Sequence, residues 1–125
     1  MTLRSAFFLV LLSLVAANAF AQPNAQPTSR LTWDQDASSL AEAQGYTYRV
    51  YPDGGAGAFV LNGVTCANGE AVTTFVCSAP FPAFTPGNHT LVLTAGNADA
   101  ESLPSIPLAF RFIVVPASPR SLRIT

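Results

Sequence analysis

The chain has 125 residues, of which 50% are hydrophobic and 10% are charged, with six basic residues against seven acidic ones. This length allows one domain of ordinary size. Its scattered arginines and net charge of -1 exclude a nucleic-acid-binding surface, because such a surface needs clustered basic side chains to neutralise phosphates.

Residues 1–21 have the pattern of a secretory signal peptide. A basic start that ends at Arg4 precedes the apolar run 6–15, and small residues stand three positions and one position before a cleavage site after Ala21. Cleavage after Ala19 satisfies the same rule. The run is too short to cross a membrane, which takes about 20 apolar residues. We expect cleavage after Ala21 and a mature protein that is secreted or periplasmic, with no membrane span.

The remaining chain divides into three parts. Residues 22–29 contain two prolines and no aliphatic side chain larger than alanine, which predicts an extended leader rather than a packed element. Residues 30–115 form the predicted domain, and residues 116–125 form a C-terminal tail. Helix-forming residues are concentrated at 38–44, which predicts at most two helical turns that end at Gly45.

Short segments rich in β-branched and aromatic residues alternate with turn signals along the domain, which predicts an all-β fold. We predict strands at 30–34, 46–51, 58–66, 73–79, 89–95 and 108–115. Period-two alternation assigns to the core face Leu31, Trp33, Tyr46, Tyr48, Val50, Leu91, Leu93, Ala95, Phe110, Phe112 and Val114. It assigns to the exposed face Thr32, Arg49, Thr94 and Arg111. Six or seven short strands over about 90 residues suit a two-sheet sandwich.

Cys66 and Cys77 are the only cysteines, and an even pair in an exported chain predicts a disulfide. Free thiols and a metal site are the alternatives, although zinc needs three or four ligands and His89 is the only histidine. Disulfide Cα atoms lie within about 7 Å of each other. We therefore expect residues 67–72 to form a loop that returns the chain, so that the two cysteines face each other across adjacent strand ends.

One set of motifs resembles a known family. These motifs are Trp33 at the end of the first strand, Gly45-Tyr46-Thr47-Tyr48-Arg49-Val50-Tyr51, Phe84-Thr85-Pro86-Gly87, and Ala95-Gly96-Asn97 followed by Glu101-Ser102 and Pro104-Ser105. Together they resemble a fibronectin type III domain over residues 30–115. The resemblance implies an immunoglobulin-like, two-sheet sandwich that serves as a binding or structural module. The chain departs from the family at His89, which replaces the corner tyrosine, at Ala100, which replaces a glycine, and in lacking the first strand; the cysteine pair is an addition.

The sequence lacks the motifs of the catalytic sites that its residue types could form. His89 is the only candidate base, and no serine lies in a Gly-x-Ser-x-Gly turn. We expect His89 to be a structural corner or surface residue, and we assign no catalytic, cofactor-binding or metal-binding residues. Six of the seven acids occur in loops that the family topology gathers at one pole: Asp34, Asp36, Glu42, Glu70, Asp99 and Glu101. We expect these acids to be solvated, and a calcium site there is the alternative.

These observations favour an exported, non-catalytic binding or structural module whose partner is another envelope or extracellular protein. The alternative is a secreted glycan-active protein, either a carbohydrate-binding module or a weak hydrolase. A glycan-binding surface would present coplanar, exposed rings. The rings that the alternation does not assign to the core are Tyr51, Phe59, Phe81 and Phe84.

Residues 119–125 resemble the linker and first strand of a following fibronectin type III domain. One hypothesis is that this tail adds a strand to the exposed edge of the next molecule and produces a homo-oligomer. A mobile tail and a tail packed on its own domain are the alternatives.

Overall fold

The computed structural model describes residues 22–55 and 57–125, so the expected signal peptide, residues 1–21, lies outside the described residues. The strands are β1 (Asn24–Ala25), β2 (Arg30–Asp36), β3 (Thr47–Pro52), β4 (Phe59–Val60), β5 (Thr65–Asn68), β6 (Thr74–Pro80), β7 (Gly87–Gly96) and β8 (Leu108–Phe112). The helix α1 spans Leu40–Gly45. In this part of the chain no helix is long and apolar enough to cross a membrane.

The strands form two sheets that pack together, which confirms the all-β, two-sheet sandwich. The larger sheet has the order β1-β8-β7-β3-β4, and the smaller has the order β2-β6-β5. Neighbouring strands are antiparallel except β1 and β8, which are parallel. Within the described chain, β2 therefore forms one edge of the smaller sheet.

The core lies between the sheets. The largest side chains in it that are fully buried are Tyr48, Phe110, Val50 and Cys77. Their positions confirm the predicted alternation along β3 and β8. Two of the side chains that alternation assigned to a face lie in the opposite environment. Thr94 is buried because its Oγ1 donates to Glu101 Oε1 at 2.5 Å, and Val114 is exposed because β8 ends two residues before it.

Helix α1 connects the two sheets at one end of the sandwich. Ser39 caps its first turn, since its Oγ accepts from the Glu42 amide at 3.1 Å. The buried Tyr48 hydroxyl donates to the Ala43 carbonyl at 2.6 Å and so fastens the helix to β3. Burial raises the pKa of Tyr48 to about 12. The sequence predicted this helix at 38–44, within two residues of its observed bounds.

The predicted strand at 58–66 is wrong, because the chain forms two short strands there in different sheets. β4 pairs with β3 in the larger sheet, and β5 pairs with β6 in the smaller one. Gly63 lies between them with a φ of +72°, a backbone conformation that residues other than glycine rarely adopt. A Cβ atom there would also lie 3.3 Å from Pro80 Cδ. Gly63 thus lets the chain cross from one sheet to the other.

Residues 22–29 are extended, but they are not wholly unpacked as predicted, because β1 lies within them. Asn24 and Ala25 pair with Arg111 and Phe112 of β8, and the Ile113 amide donates to the Ala25 carbonyl at 2.9 Å. Ala25 is buried in the core. The leader therefore extends the larger sheet, and it leaves the edge of β2 uncovered.

The disulfide between Cys66 and Cys77 is confirmed. The two residues are directly paired across β5 and β6, with their Cα atoms 4.0 Å apart. Pairing continues to Asn68 and Phe75, so the returning loop is one to two residues later than the predicted 67–72. The bond fits a protein folded in an oxidising compartment.

Candidate interaction surface at the edge of β2

Hydrogen bonds at both ends of β2 show which of its backbone groups face β6. The Ala37 amide donates to the Thr73 carbonyl at 3.0 Å, and the Phe81 amide donates to the Ser29 carbonyl at 2.9 Å. Antiparallel neighbours exchange both bonds at every second residue pair. The odd-numbered residues of β2 therefore bond to β6, and the backbone groups of Thr32 and Asp34 point away from it.

This outer edge of β2 is open. Across residues 22–55 and 57–125 no strand pairs with it, and no backbone hydrogen bond reaches Thr32 or Asp34 from outside the sheet. Both residues are exposed. A row of unpaired amide and carbonyl groups at a sheet edge is a template for another strand.

An apolar cavity of about 330 Å³ lies beside this edge, and we call it the β2 groove. Its large apolar lining residues are Leu31 and Trp33 from β2, Leu91 and Leu93 from β7, Leu103 and Ile106 from the segment before β8, and Leu108 at the start of β8. Leu103 is 89% exposed and Ile106 is 91% exposed. Contiguous exposed apolar surface of this kind marks interaction sites on soluble proteins.

Two serines fix the segment that carries Leu103 and Ile106. The Ser102 amide donates to the Ala95 carbonyl at 2.7 Å, and the Ser105 amide donates to the Leu93 carbonyl at 2.9 Å. The hydroxyl of each serine accepts the amide of the same β7 residue at 2.9 Å. Because four hydrogen bonds hold this segment on β7, the exposed apolar side chains form a fixed rim of the β2 groove.

The exposed face of β2 is acidic toward its end. Asp34 and Asp36 lie there, while Arg30 lies at its start and donates to Ser78 Oγ at 3.0 Å. The opposite-charge partner that this edge would favour is a basic strand, since oppositely charged side chains directly across two strands attract each other.

Three of the six acids expected at one pole have partners within the fold. Asp36 accepts from Thr74 Oγ1 at 2.9 Å, Glu42 accepts from Ser38 and Tyr46, and Glu101 accepts from Thr94 and Tyr51. These hydroxyl bonds lower the pKa of Glu42 and of Glu101. Among the described residues no group of three or more His, Cys, Asp or Glu side chains is placed to hold a metal ion.

The four rings that bear on glycan binding do not form a platform. Phe81 and Phe84 pack against Phe110, with ring centroids 5.0 and 4.9 Å away. Phe59 pairs with the buried Val50, so it lies on the inner face of the larger sheet, whereas Tyr51 next to Val50 lies on the outer face. The two accessible rings therefore face opposite sides of the sheet.

His89 is built into a corner. Its Nδ1 donates to Asp53 Oδ2 at 2.8 Å, and its Nε2 donates to the carbonyl of Thr85, four residues upstream, at 2.7 Å. Asp53 has a positive φ of 52° and also accepts the Thr90 amide at 3.0 Å. The network ties the turn after β3 to the start of β7, as expected for a corner residue.

The same geometry argues against a nucleophile triad. Thr85 Oγ1 lies 3.3 Å from His89 Nε2, which places a hydroxyl, an imidazole and a carboxylate in sequence. Both imidazole nitrogens face acceptors, however, because the Asp53 carboxylate lies 2.8 Å from Nδ1 and the Thr85 carbonyl lies 2.7 Å from Nε2, and this geometry suits a ring that donates from both nitrogens. Two hydrogen bonds raise the pKa of His89. The bond to the Asp53 carboxylate has the larger effect, and the bond to the Thr85 carbonyl has the smaller one. In this arrangement Nε2 donates to the Thr85 carbonyl, so it does not accept the proton of the Thr85 hydroxyl.

The His89–Asp53 pair gives a testable pH dependence. The pKa of His89 is raised above 6.5, so its stabilisation is complete below pH 6.5 and is lost as pH rises through the raised pKa. Bonding to His89 lowers the pKa of Asp53 below 3.8, so its stabilisation is complete above that pH and is lost on acidification. We expect the melting temperature of the unaltered chain to fall above pH 6.5. The melting temperature of the Asp53→Asn variant should fall much less over the same pH range. Equal declines in both proteins would contradict this pairing.

The site residues were only partly predictable. The disulfide is confirmed by the structure, and His89 bonds to nearby backbone as expected of a corner residue. Leu103 and Ile106 were missed, because they lie in a proline-flanked segment without strand alternation. Ser102 and Ser105 belong to the motifs that resemble the family, and their bonds to β7 show how they position the rim.

No family model matches the chain, and no curated protein is similar to it. The fibronectin type III resemblance therefore remains a prediction.

Proposed function

We propose that this protein is an exported, non-catalytic binding module of the fibronectin type III kind, secreted or periplasmic, that binds an extended, basic segment of another envelope or extracellular protein. The segment adds a strand to the edge of β2. Such strand addition takes its affinity from main-chain hydrogen bonds and its selectivity from pockets for alternate side chains.

The open edge of β2 beside the β2 groove is the observation that carries this proposal. The backbone groups of Thr32 and Asp34 supply the hydrogen bonds. The apolar lining and the rim of Leu103 and Ile106 accept every second side chain of the bound strand. Asp34 and Asp36 favour positive charge on its outward side chains.

Selection of binding peptides from a random displayed library tests this proposal. We expect the chain without residues 1–21 to select basic peptides with apolar residues at every second position. Thr32→Pro removes one outward amide from an edge position that tolerates proline, and we expect it to abolish their binding. Asp34→Lys should weaken binding by about tenfold or more, because a charge reversal at an edge costs about 1.4 kcal/mol or more.

Glu70→Lys is the matched control, because it makes the same charge change on an exposed loop residue that does not line the β2 groove. Its affinity should equal that of the unaltered chain. Failure to select any peptide, or equal binding by the Thr32→Pro, Asp34→Lys and unaltered chains, would overturn the proposal. The Asp34→Lys variant decides the matter if Thr32→Pro does not fold.

A further inference from the structure

We infer that the β2 groove accepts the C-terminal tail of a second copy of this chain, so that copies associate head to tail. This inference rests on the proposed function, and it names one occupant for the same edge. Residues 119–125, Pro-Arg-Ser-Leu-Arg-Ile-Thr, are the segment that we place there.

The tail has the chemistry that the edge requires. Leu122 and Ile124 are two residues apart, so an extended backbone directs both to one face, and Arg123 points to the other. Leu122 is 86% exposed and Ile124 is completely exposed. The one hydrogen bond of this segment within the described chain joins Arg123 to the Ser121 carbonyl. The tail thus carries two apolar side chains that its own domain does not cover.

An antiparallel alignment satisfies the charges and the apolar contacts together. If Arg123 lies opposite Asp34, then Ile124 lies opposite Trp33 and Leu122 lies opposite Gln35. Trp33 and Gln35 both line the β2 groove. The bound Leu122 and Ile124 side chains therefore enter the groove on the same face as Trp33, while the Arg123–Asp34 pair stays at the surface. Pro119 precedes the strand and removes no required amide.

In its own molecule the tail does not lie on this edge, and for the antiparallel alignment its position favours a second copy. The Ile113 amide bonds to the Ala25 carbonyl, and a turn closed by the Ser29 amide and the Gln26 carbonyl leads directly into β2. The tail therefore leaves the domain at the pole where β2 begins. An antiparallel strand on β2 must start at the opposite pole, where β2 ends at Asp36. The tail of a second copy can approach that acidic pole without crossing its own domain.

The opposite charges at the two poles also favour a contact between the tail of one copy and the edge of another. Arg120 and Arg123 follow the pole where β2 begins, and Asp34 and Asp36 mark the pole where it ends. Opposite charges at the two poles align successive copies head to tail and speed their encounter. The contact joins two different surfaces, so each added copy leaves one free groove and one free tail, and open chains result.

Sedimentation velocity of the chain without residues 1–21 tests the inference. We expect the sedimentation coefficient to rise with concentration. The Leu122→Ser/Ile124→Ser double variant, with an altered tail, and Asp34→Lys, with an altered edge, should each remain monomeric. Glu70→Lys and the Ser121→Ala/Thr125→Ala double variant change a remote charge and the opposite tail face, and both should associate like the unaltered chain.

A mixture of the two defective variants gives the sharpest result. Asp34→Lys keeps an intact tail, and Leu122→Ser/Ile124→Ser keeps an intact groove, so together they form one functional contact. We expect dimers and no longer chains. Three results would each overturn the inference. They are an unaltered chain that stays monomeric, association of both altered variants when each is tested alone, and a mixture that forms no dimers. If the chain is monomeric but selected peptides still require Thr32, the tail is not the occupant and the proposed function stands.

Discussion

Replacing Phe110 with alanine is expected to lower the free energy of unfolding by about 3–5 kcal/mol. Phe110 is 1% exposed, and its ring lies 5.0 Å from Phe81, 4.9 Å from Phe84 and 5.9 Å from His89. Removal of the ring leaves a cavity beside Phe81, Phe84 and His89. Urea unfolding followed by fluorescence measures the loss.

Phe59→Ala is the matched control for that prediction. The same side chain is removed, but Phe59 lies on the two-residue strand β4 and is 37% exposed, so solvent fills the space that it leaves. We expect a loss of less than half that of Phe110→Ala. Similar losses for the two variants would show that the cluster around Phe110 is not the centre of the core.

Removal of the disulfide is expected to lower the free energy of unfolding by about 3 kcal/mol in the chain-entropy model, because the bond closes a loop of about a dozen residues in the unfolded chain. The Cys66→Ala/Cys77→Ala double variant tests this expectation. Alanine is preferred because Cys77 is fully buried and serine would place a hydroxyl in the core. We expect a lower midpoint in urea.

Reduction of the unaltered chain separates the crosslink from the side chains. Reduced chain and double variant should unfold at similar urea concentrations, both below that of the oxidised chain. Thr65 and Ala67 still pair with Ser78 and Val76, so the register of β5 should survive in both. Equal midpoints for the oxidised and reduced chains would contradict a stabilising role for the bond.

Local patterns predicted the elements whose sequences carry strong signals. Alternation of Tyr48 and Val50 identified β3, and helix-forming residues after Ser39 identified α1. The need to join Cys66 and Cys77 placed these residues on neighbouring strands. Each of these signals is contained in a few residues, so a single sequence displays it.

Other features depend on contacts between distant segments. β1 was missed because Asn24 and Ala25 have little strand propensity, and their pairing is set by Arg111 and Phe112. The burial of Thr94 depends on Glu101, which folds back over β7. The open edge of β2 follows from the side of the sandwich on which the leader lies, and alternation within β2 does not encode that choice.

Amide hydrogen exchange of isotope-labelled protein tests strand addition at β2 most directly. The labelled chain carries the Leu122→Ser/Ile124→Ser tail, which keeps it monomeric, and receives either a selected peptide or a peptide of residues 116–125. We expect exchange at Thr32 and Asp34 to slow when a peptide binds, because their outward amides then donate to the added strand. Exchange at Trp33 and Gln35 should be slow throughout, since these amides already bond to β6. Unchanged exchange at Thr32 and Asp34 while a selected peptide is bound would contradict binding by strand addition.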